Sequence, residues 1–177
     1  RAAEPQITGL RDAGYYTNET IFTLTELPRR LAVIGAGPIG CELAQSFQRF
    51  GSQVTLLTDG AEIMPREDRD AAAVVRKQIE KDGVTIITGA KIHSAAQDNG
   101  AKNLLLNIGD KPVNLSCDAI LVSVGRTPNL EGLGLEAGNV RYGTRGVDVD
   151  ARMRTSNPRV FAAGDVCSRY QFTHAAD

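Results

Sequence analysis

A run of three glycines directly after an apolar segment constrains the fold of this chain more than any other feature. Residues 31–34 are continuously apolar, and glycines follow at positions 35, 37 and 40. Apolar residues then recur at helical spacing from Ile39 to Phe50, Gly51 ends the pattern, and residues 54–57 form a second strand-like run. The order of strand, glycine turn, helix and strand within about 30 residues predicts a βαβ unit.

The spacing of these glycines also predicts a ligand. The pattern G-x-G-x-x-G at a strand-to-helix turn allows a tight turn, a close approach of backbone to a pyrophosphate, and close packing of helix on strand. Free N–H groups at the start of the helix favour phosphate oxygens. The residues expected to line a dinucleotide are Gly35, Gly37, Pro38, Ile39 and Gly40. A glycine-rich turn that binds nothing is the alternative.

One loop bears on the choice between NADH and NADPH. An acidic residue about 20 positions after the glycines binds the ribose 2′-hydroxyl in NAD-linked domains. Asp59 occupies this place after Thr58, at the end of the second strand. Arg66, further along the loop, is the candidate to face a 2′-phosphate, which Asp59 would repel. NADH is therefore favoured, and the alternative is that Asp59 and Gly60 only form a turn.

The rest of the sequence predicts further strands of the parallel sheet and, inserted among them, an antiparallel sheet. Residues 68–81 predict a second helix, with Asp68 or Asp70 as its N-cap, and residues 84–88 predict a third strand. Residues 91–116 alternate around the hairpin signals at 98–100 and 109–110, which predicts an antiparallel meander. Further strands are predicted at 119–124, 147–149 and 160–163, whereas residues 1–30 show no period.

These elements define the predicted fold class. We expect an α/β fold with a Rossmann-like parallel sheet, helices on both of its faces, and an inserted antiparallel β-meander, in a three-layer β/β/α arrangement.

The amino-acid composition argues against several classes of function. Twenty Lys and Arg residues balance twenty-one Asp and Glu residues, so no basic excess indicates nucleic acid or an anionic membrane. The apolar runs are strand-sized and far too short to span a bilayer. Three widely spaced cysteines and two histidines argue against a disulfide framework and a metal site, and favour a reducing, cytoplasmic compartment. The first residue is Arg1, which we interpret as a cut from a longer chain.

Three separated motifs carry a family resemblance. They are GAGPIGCE at 35–42, VSVGRTPN at 122–129 and TSNPRVFAAGD at 155–165. The chain resembles class I of the pyridine nucleotide-disulfide oxidoreductases. Residues 64–68 and the tail at 167–174 are similar to the mercuric-reductase-like branch. Asp59 departs from that branch, since its NADPH-using members tend to place Arg there, and a dihydrolipoamide-dehydrogenase-like protein is an alternative.

The resemblance implies a domain plan, cofactors and an activity. Residues 1–25 would be a lead-in from an FAD domain, residues 26–148 the NAD(P)-binding domain, and residues 149–177 a return segment of the FAD domain. The parent protein would pass hydride from NAD(P)H to FAD and then to a C-x-x-x-x-C disulfide, and would form a homodimer through a C-terminal domain. This chain holds neither the disulfide motif nor that domain, so we expect no turnover from it alone.

The resemblance also implies roles for single residues. Glu42 would position the nicotinamide amide near the flavin, unless it is only a solvated helix residue. Gly125 would approach the dinucleotide, and Gly164 with Asp165 would bind FAD, the carboxylate facing its ribitol chain. Arg126 would support the FAD domain or lie free on the surface.

Two other classes of function stay open at this point. One is a flavin enzyme without the disulfide, such as a type II NADH dehydrogenase or a ferredoxin reductase. The other is a non-enzymatic NAD-binding module. The electron acceptor is chosen by parts of the parent protein that this sequence does not contain.

Overall fold

A computed structural model describes residues 1–168. The described chain divides into two compact units, one formed by residues 2–125 and the other by Arg1 with residues from 126 onward. This division differs from the functional boundaries expected at 25/26 and 148/149, which stay predictions. Most of the tail that resembles the mercuric-reductase branch lies outside the described residues.

The larger unit contains a parallel sheet and an antiparallel sheet. Its elements are α1 (Leu10–Ala13), β1 (Tyr16–Thr17), a 3-10 turn (Ile21–Thr23), β2 (Arg30–Ile34), α2 (Pro38–Phe50), β3 (Gln53–Leu57), α3 (Arg69–Lys81), β4 (Thr85–Ile87), β5 (Ala90–Asp98), β6 (Ala101–Ile108), β7 (Lys111–Cys117) and β8 (Ala119–Val122). The parallel sheet has the order β1-β8-β2-β3-β4, and β5-β6-β7 form the antiparallel meander.

The central strands of the parallel sheet are apolar throughout because both of their faces are covered. All four residues of β8 are buried, as are the last four of β2. Successive side chains point to opposite faces. Leu31 and Val33 therefore join one core cluster, whereas Ala32 and Ile34 join another on the far side of the sheet.

Helices α2 and α3 both pack on the first face. Ala44 and Phe47 of α2 and Ile79 of α3 share a core cluster with Leu31 and Val33. Helix α2 ends as predicted at Gly51, which adopts the left-handed conformation with φ 110°. Among residues 1–168, the helices are too short and too polar to reach across a lipid bilayer.

The meander covers the second face. Leu104 and Leu106 of β6 are fully buried in the cluster that holds Ala32 and Ile34. The three-layer β/β/α fold is therefore confirmed. The second face also holds the one-turn helix α1, whose Leu10 and Ala13 lie in the same cluster as the meander, whereas the longer helices α2 and α3 pack on the first face.

The smaller unit has little regular structure. Its elements are β9 (Tyr142–Gly143), β10 (Gly146–Val147) and a 3-10 turn (Gly164–Val166). The strand predicted at 160–163 does not form, since Phe161 makes only an isolated bridge to Arg154. A β-strand needs a neighbouring strand for its backbone groups, and the described residues supply only that one partner.

Candidate functional site

The strand order places the candidate site at one edge of the parallel sheet. Strand β2 has β3 on one side and β8 on the other, so the order of connection reverses at β2. All three strands are parallel, and their carboxyl ends therefore meet at the same edge. Ligands of open α/β sheets bind at such a switch point. The segments that follow the three strands are 35–40, 58–60 and 123–125.

Two of the three glycines in the turn are required by the packing. Gly35 has φ 103°, donates its N–H to the Leu57 carbonyl at 2.8 Å, and would bring a Cβ to 2.5 Å from the Ser123 carbonyl oxygen. A Cβ on Gly40 would overlap the Gly35 carbonyl oxygen and approach the Ser123 hydroxyl to 2.9 Å. These glycines let the turn, α2 and the end of β8 lie in direct contact.

Gly37 has a different environment. Its φ of −75° suits any residue, and a Cβ at this position would meet no atom within 4 Å. Gly37 is the N-cap of α2, and no side chain in the described part of the chain caps this helix. The first turn of a helix carries N–H groups without partners inside the helix. Open space above an uncapped helix start suits a phosphate group.

Asp59 presents a free carboxylate at the end of β3. The backbone around it is fixed, because Thr58 bonds to the Ile87 carbonyl at 3.0 Å and to the Ala90 N–H at 2.9 Å. The turn N–H of Gly60 donates to the Thr58 hydroxyl at 3.2 Å. The Asp59 side chain is exposed and makes no hydrogen bond or ion pair within residues 1–168. The turn is therefore held by Thr58, and the carboxylate is left for another partner.

The loop after Asp59 returns to the glycine turn. Ile63 is buried in the core beside α2, and the Met64 N–H donates to the Ala36 carbonyl at 2.7 Å. Arg66 is exposed and has no partner among the described residues. The structure thus places both candidates for coenzyme selection, Asp59 and Arg66, on one loop that is anchored to the turn.

Glu42 and Gly125 flank the same edge. Glu42 lies in the second turn of α2, where its side chain is exposed and bonds to none of the described residues. Gly125 has φ 122° and accepts a hydrogen bond from the Ala3 N–H at 2.9 Å. A Cβ at Gly125 would meet no atom within 4 Å. Both positions are open to a ligand.

Gly164 and Asp165 belong to the smaller unit. Gly164 has φ 76° and begins the 3-10 turn. The Asp165 carboxylate forms an ion pair of 3.0 Å with Arg126, and each side chain is about one-third exposed, at 35% and 34%. Sequence reasoning missed this pair, because the two residues lie in different motifs. Arg126 is therefore not a free surface arginine.

The cysteines have the properties of packing residues. Cys41 and Cys117 are buried, and burial raises the pKa of each thiol to about 11. Burial also raises the pKa of Cys167. The thiolate is the reactive form of cysteine, so these residues are weak nucleophiles at neutral pH. Cys41 packs α2 against the turn, with its thiol 3.5 Å from the Ala36 carbonyl.

The larger unit is, by its layers, strand order and glycine turn, a Rossmann-type α/β domain with an inserted β-meander. The family model for the pyridine nucleotide-disulphide oxidoreductases matches residues 1–177, and the chain belongs to that family. The family predicted from the three motifs is thus confirmed. Members of this family use FAD and NAD(P)H, and the relatives are oxidoreductases.

Three relatives show the extent of the similarity. A dihydrolipoyl dehydrogenase of Thermus scotoductus is 43% identical over 153 residues, which cover 85% of this chain and 33% of that protein. A mercuric reductase of Bacillus cereus is 34% identical over 97% of this chain and 27% of its own length. The HOCl-induced flavoprotein disulfide reductase RclA from Escherichia coli superposes with a TM-score of 0.91 at 31% identity, covering 99% of this chain and 40% of that one. The chain spans about a third of the curated relatives it matches.

Proposed function

We propose that this chain forms the NAD(P)H-binding domain of an FAD-dependent pyridine nucleotide-disulfide oxidoreductase and that it prefers NADH. The observation that carries this proposal is the uncapped start of α2 beneath the open space at Gly37. It lies at the switch point of the sheet, beside the free carboxylate of Asp59.

Each residue of the edge has a role in this proposal. The backbone of residues 35–40 binds the pyrophosphate, because the free N–H groups at the start of α2 and the helix dipole attract phosphate oxygens. Gly35 and Pro38 contribute shape rather than donors, since the Gly35 N–H bonds to the Leu57 carbonyl and proline has no N–H. Asp59 accepts hydrogen bonds from the ribose hydroxyls. Glu42 accepts a hydrogen bond from the nicotinamide carboxamide and so orients the ring, and Gly125 leaves room for the dinucleotide. NADH bound in this way supplies a hydride.

The chain spans about a third of its curated relatives, so the activity of the whole protein is part of the proposal. We infer that it transfers hydride from NAD(P)H to FAD and then to a disulfide, as a mercuric-reductase-like enzyme, with Gly164 and Asp165 binding FAD. A dihydrolipoamide dehydrogenase would use the same domain in the same way. The proposal includes a cytoplasmic homodimer that forms through a domain outside this chain.

Calorimetric titration of the 177-residue chain with NADH and with NADPH tests the coenzyme site. We expect NADH to bind more tightly, and Asp59→Ala to weaken NADH binding about 10-fold to 100-fold, as loss of a charge-assisted hydrogen bond does. The matched control is Asp110→Ala, which removes the same charge from an exposed turn of the meander and should leave both affinities unchanged.

Two results would contradict the proposal. The first is tighter binding of NADPH than of NADH, together with an NADH affinity that Asp59→Ala does not change. This result would indicate that Arg66 binds the 2′-phosphate and that Asp59 is only a turn residue. No heat with either coenzyme at millimolar concentration, from a chain with a native circular dichroism spectrum, would overturn dinucleotide binding itself.

A further inference from the structure

In the loop that carries Asp59 and Arg66, one guanidinium group makes several hydrogen bonds to the backbone of residues 63–67. Arg69, the first residue of α3, donates to three backbone carbonyls of this loop. Its Nη1 lies 3.5 Å from the Ile63 carbonyl, its Nη2 lies 2.8 Å from the Glu67 carbonyl, and Nη2 also donates to the Met64 carbonyl. Its Nε adds a second contact to Glu67 at 3.3 Å. Arg69 therefore ties together three separate points of the loop backbone.

Met64 is the residue through which this clamp reaches the glycine turn. Its N–H donates to the Ala36 carbonyl at 2.7 Å, while its own carbonyl accepts from Arg69 and from the Glu67 N–H at 3.0 Å. Met64 has φ 48°, a left-handed conformation that non-glycine residues hold only when their surroundings enforce it. The surroundings that enforce it are Ala36 on one side and Arg69 on the other.

A second arginine of α3 supports the same loop. Arg76 of α3 pairs with Glu62 at 2.9 Å and with Glu80 on its own helix at 3.0 Å. Both acidic partners are largely exposed, so water screens this network. Arg69 is exposed as well, but it bonds to the loop backbone at three carbonyls, whereas Arg76 reaches the loop through the side chain of Glu62.

We propose that Arg69 is a positioning residue for coenzyme binding and coenzyme choice, which acts by holding residues 63–67, in the loop that follows Asp59, against the glycine turn. This inference rests on the proposed function, because it assumes that NADH binds at that edge. Arg69 itself bonds to backbone carbonyls and so need not touch the coenzyme. Releasing it lowers the fraction of molecules whose turn and loop are both correctly placed, and the apparent Kd rises by the inverse of that fraction.

The test compares Arg69→Ala, Arg69→Lys and Lys77→Ala by calorimetry with NADH and NADPH. Lys77 is the matched control because it carries the same charge on the exposed face of α3 and makes no hydrogen bond or ion pair with a described residue of the loop. We expect Arg69→Ala to raise the Kd for NADH about tenfold and to move the NADH-to-NADPH affinity ratio towards one. Arg69→Lys should recover part of both effects, since an ammonium cannot reach three carbonyls at once. If the substitution only lowered the general stability of the domain, the affinities for NADH and NADPH would fall equally and the ratio between them would stay unchanged.

Hydrogen exchange separates failure of this inference from failure of the proposed function. The clamp predicts faster exchange of the Met64 and Glu67 amides in Arg69→Ala than in the wild type or in Lys77→Ala, whether or not a coenzyme binds. Unchanged exchange at these amides, or an equal loss of NADH affinity in Lys77→Ala, would overturn the clamp. Faster exchange in a chain that binds neither coenzyme would keep the clamp as a loop support, overturn its role in coenzyme binding, and refute the proposed function.

Discussion

Helices α2 and α3 are alike in length and position but begin in opposite ways. Each has thirteen residues, and both pack on the same face of the sheet. Helix α3 is preceded by its N-cap Asp68, whose carboxylate accepts hydrogen bonds from the N–H groups of Asp70 and Ala71 at 3.0 and 3.1 Å. Helix α2 has Gly37 as its N-cap, and no described side chain caps it.

The difference between the two helix starts shows that the edge assigned to the ligand lacks a stabilising interaction that α3 has. A side-chain N-cap stabilises a helix by about 1 kcal/mol relative to alanine, and α3 has this contribution. At α2 the corresponding backbone donors have no side-chain cap, which suits a phosphate ligand but does not stabilise the free chain. The helix end with the weaker local support is the one we assign to the coenzyme.

The largest effect should come from Gly40→Ala. Alanine normally stabilises the interior of a helix relative to glycine by roughly 0.5–1 kcal/mol. Here the added methyl group would overlap the Gly35 carbonyl oxygen, so the turn or α2 must move. We expect the free energy of unfolding to fall by about 3–5 kcal/mol in urea titration.

The control is Gly37→Ala in the same turn. Open space and an ordinary φ at Gly37 should keep its stability within about 1 kcal/mol of the wild type. Its NADH affinity should nevertheless fall, because the methyl group occupies the space expected for the pyrophosphate. Equal unfolding free energies for the two variants would show that Gly40 is not crowded.

The next effect is on binding and comes from Gly37→Asp, which gives α2 the kind of cap that α3 has. The new carboxylate can accept the free N–H groups and interact favourably with the helix dipole, so stability should rise by about 1 kcal/mol. The same carboxylate would occupy and repel the phosphate position. We expect calorimetry to show a loss of NADH affinity of roughly 100-fold, equivalent to about 2.7 kcal/mol.

The mirror experiment is Asp68→Ala, which removes the cap from α3. It should lower stability by about 1 kcal/mol and change the Kd for NADH by less than about threefold. If the two substitutions changed NADH affinity equally, the start of α2 would have no special role and the comparison between the two helices would fail.

The smallest effect concerns the other ends of the helices, which share one anchor. Asp82, just after α3, accepts hydrogen bonds from Gln45 and Arg49 of α2 at 2.6 and 2.8 Å. The Gln45 amide and the other donors lower the pKa of Asp82 below its usual value. Asp82→Asn should therefore lower the urea midpoint at pH 7 without changing NADH affinity.

The lowered pKa of Asp82 also predicts how the stability difference between wild type and Asp82→Asn changes with pH. A carboxyl group with a lowered folded-state pKa contributes stability above its unfolded pKa of about 3.9, and that contribution is lost as the pH falls through the folded-state value. The difference between wild type and Asp82→Asn should shrink below about pH 4. Asp110→Asn, in an exposed turn, should show no difference at either pH.

Local patterns were enough to predict most of the larger unit. The periodicity and the glycine turn predicted α2 to within one residue, and Asp68 was one of two expected caps of α3. The turn at Asn99 and Gly100, with φ 48° and 81°, matches the predicted hairpin. Each of these features depends on residues that are close in sequence, and the family motifs depend on the same kind of signal.

Features that depend on distant residues were missed. Strand β1 has two residues, too few for a period, and exists because β8 pairs with it. The strand expected at 160–163 is apolar but lacks a partner among the described residues. The contacts of Arg69 are to backbone carbonyls, which every residue possesses, so no choice of side chains indicates them. The ligand-binding roles of the glycines, Glu42 and Asp59 stay predictions until a coenzyme is titrated.

The position of β8 between β1 and β2 has a consequence for synthesis. Strand β3 follows β2 after one helix, but β8 is made roughly 85 residues later, after the whole meander. At translation rates of about 5–20 residues per second, one edge of β2 stays unpaired for on the order of ten seconds. An apolar strand with open N–H and C=O groups is a site for pairing between nascent chains. The inserted meander, at residues 90–117, lengthens by about half the interval during which this edge of β2 is open.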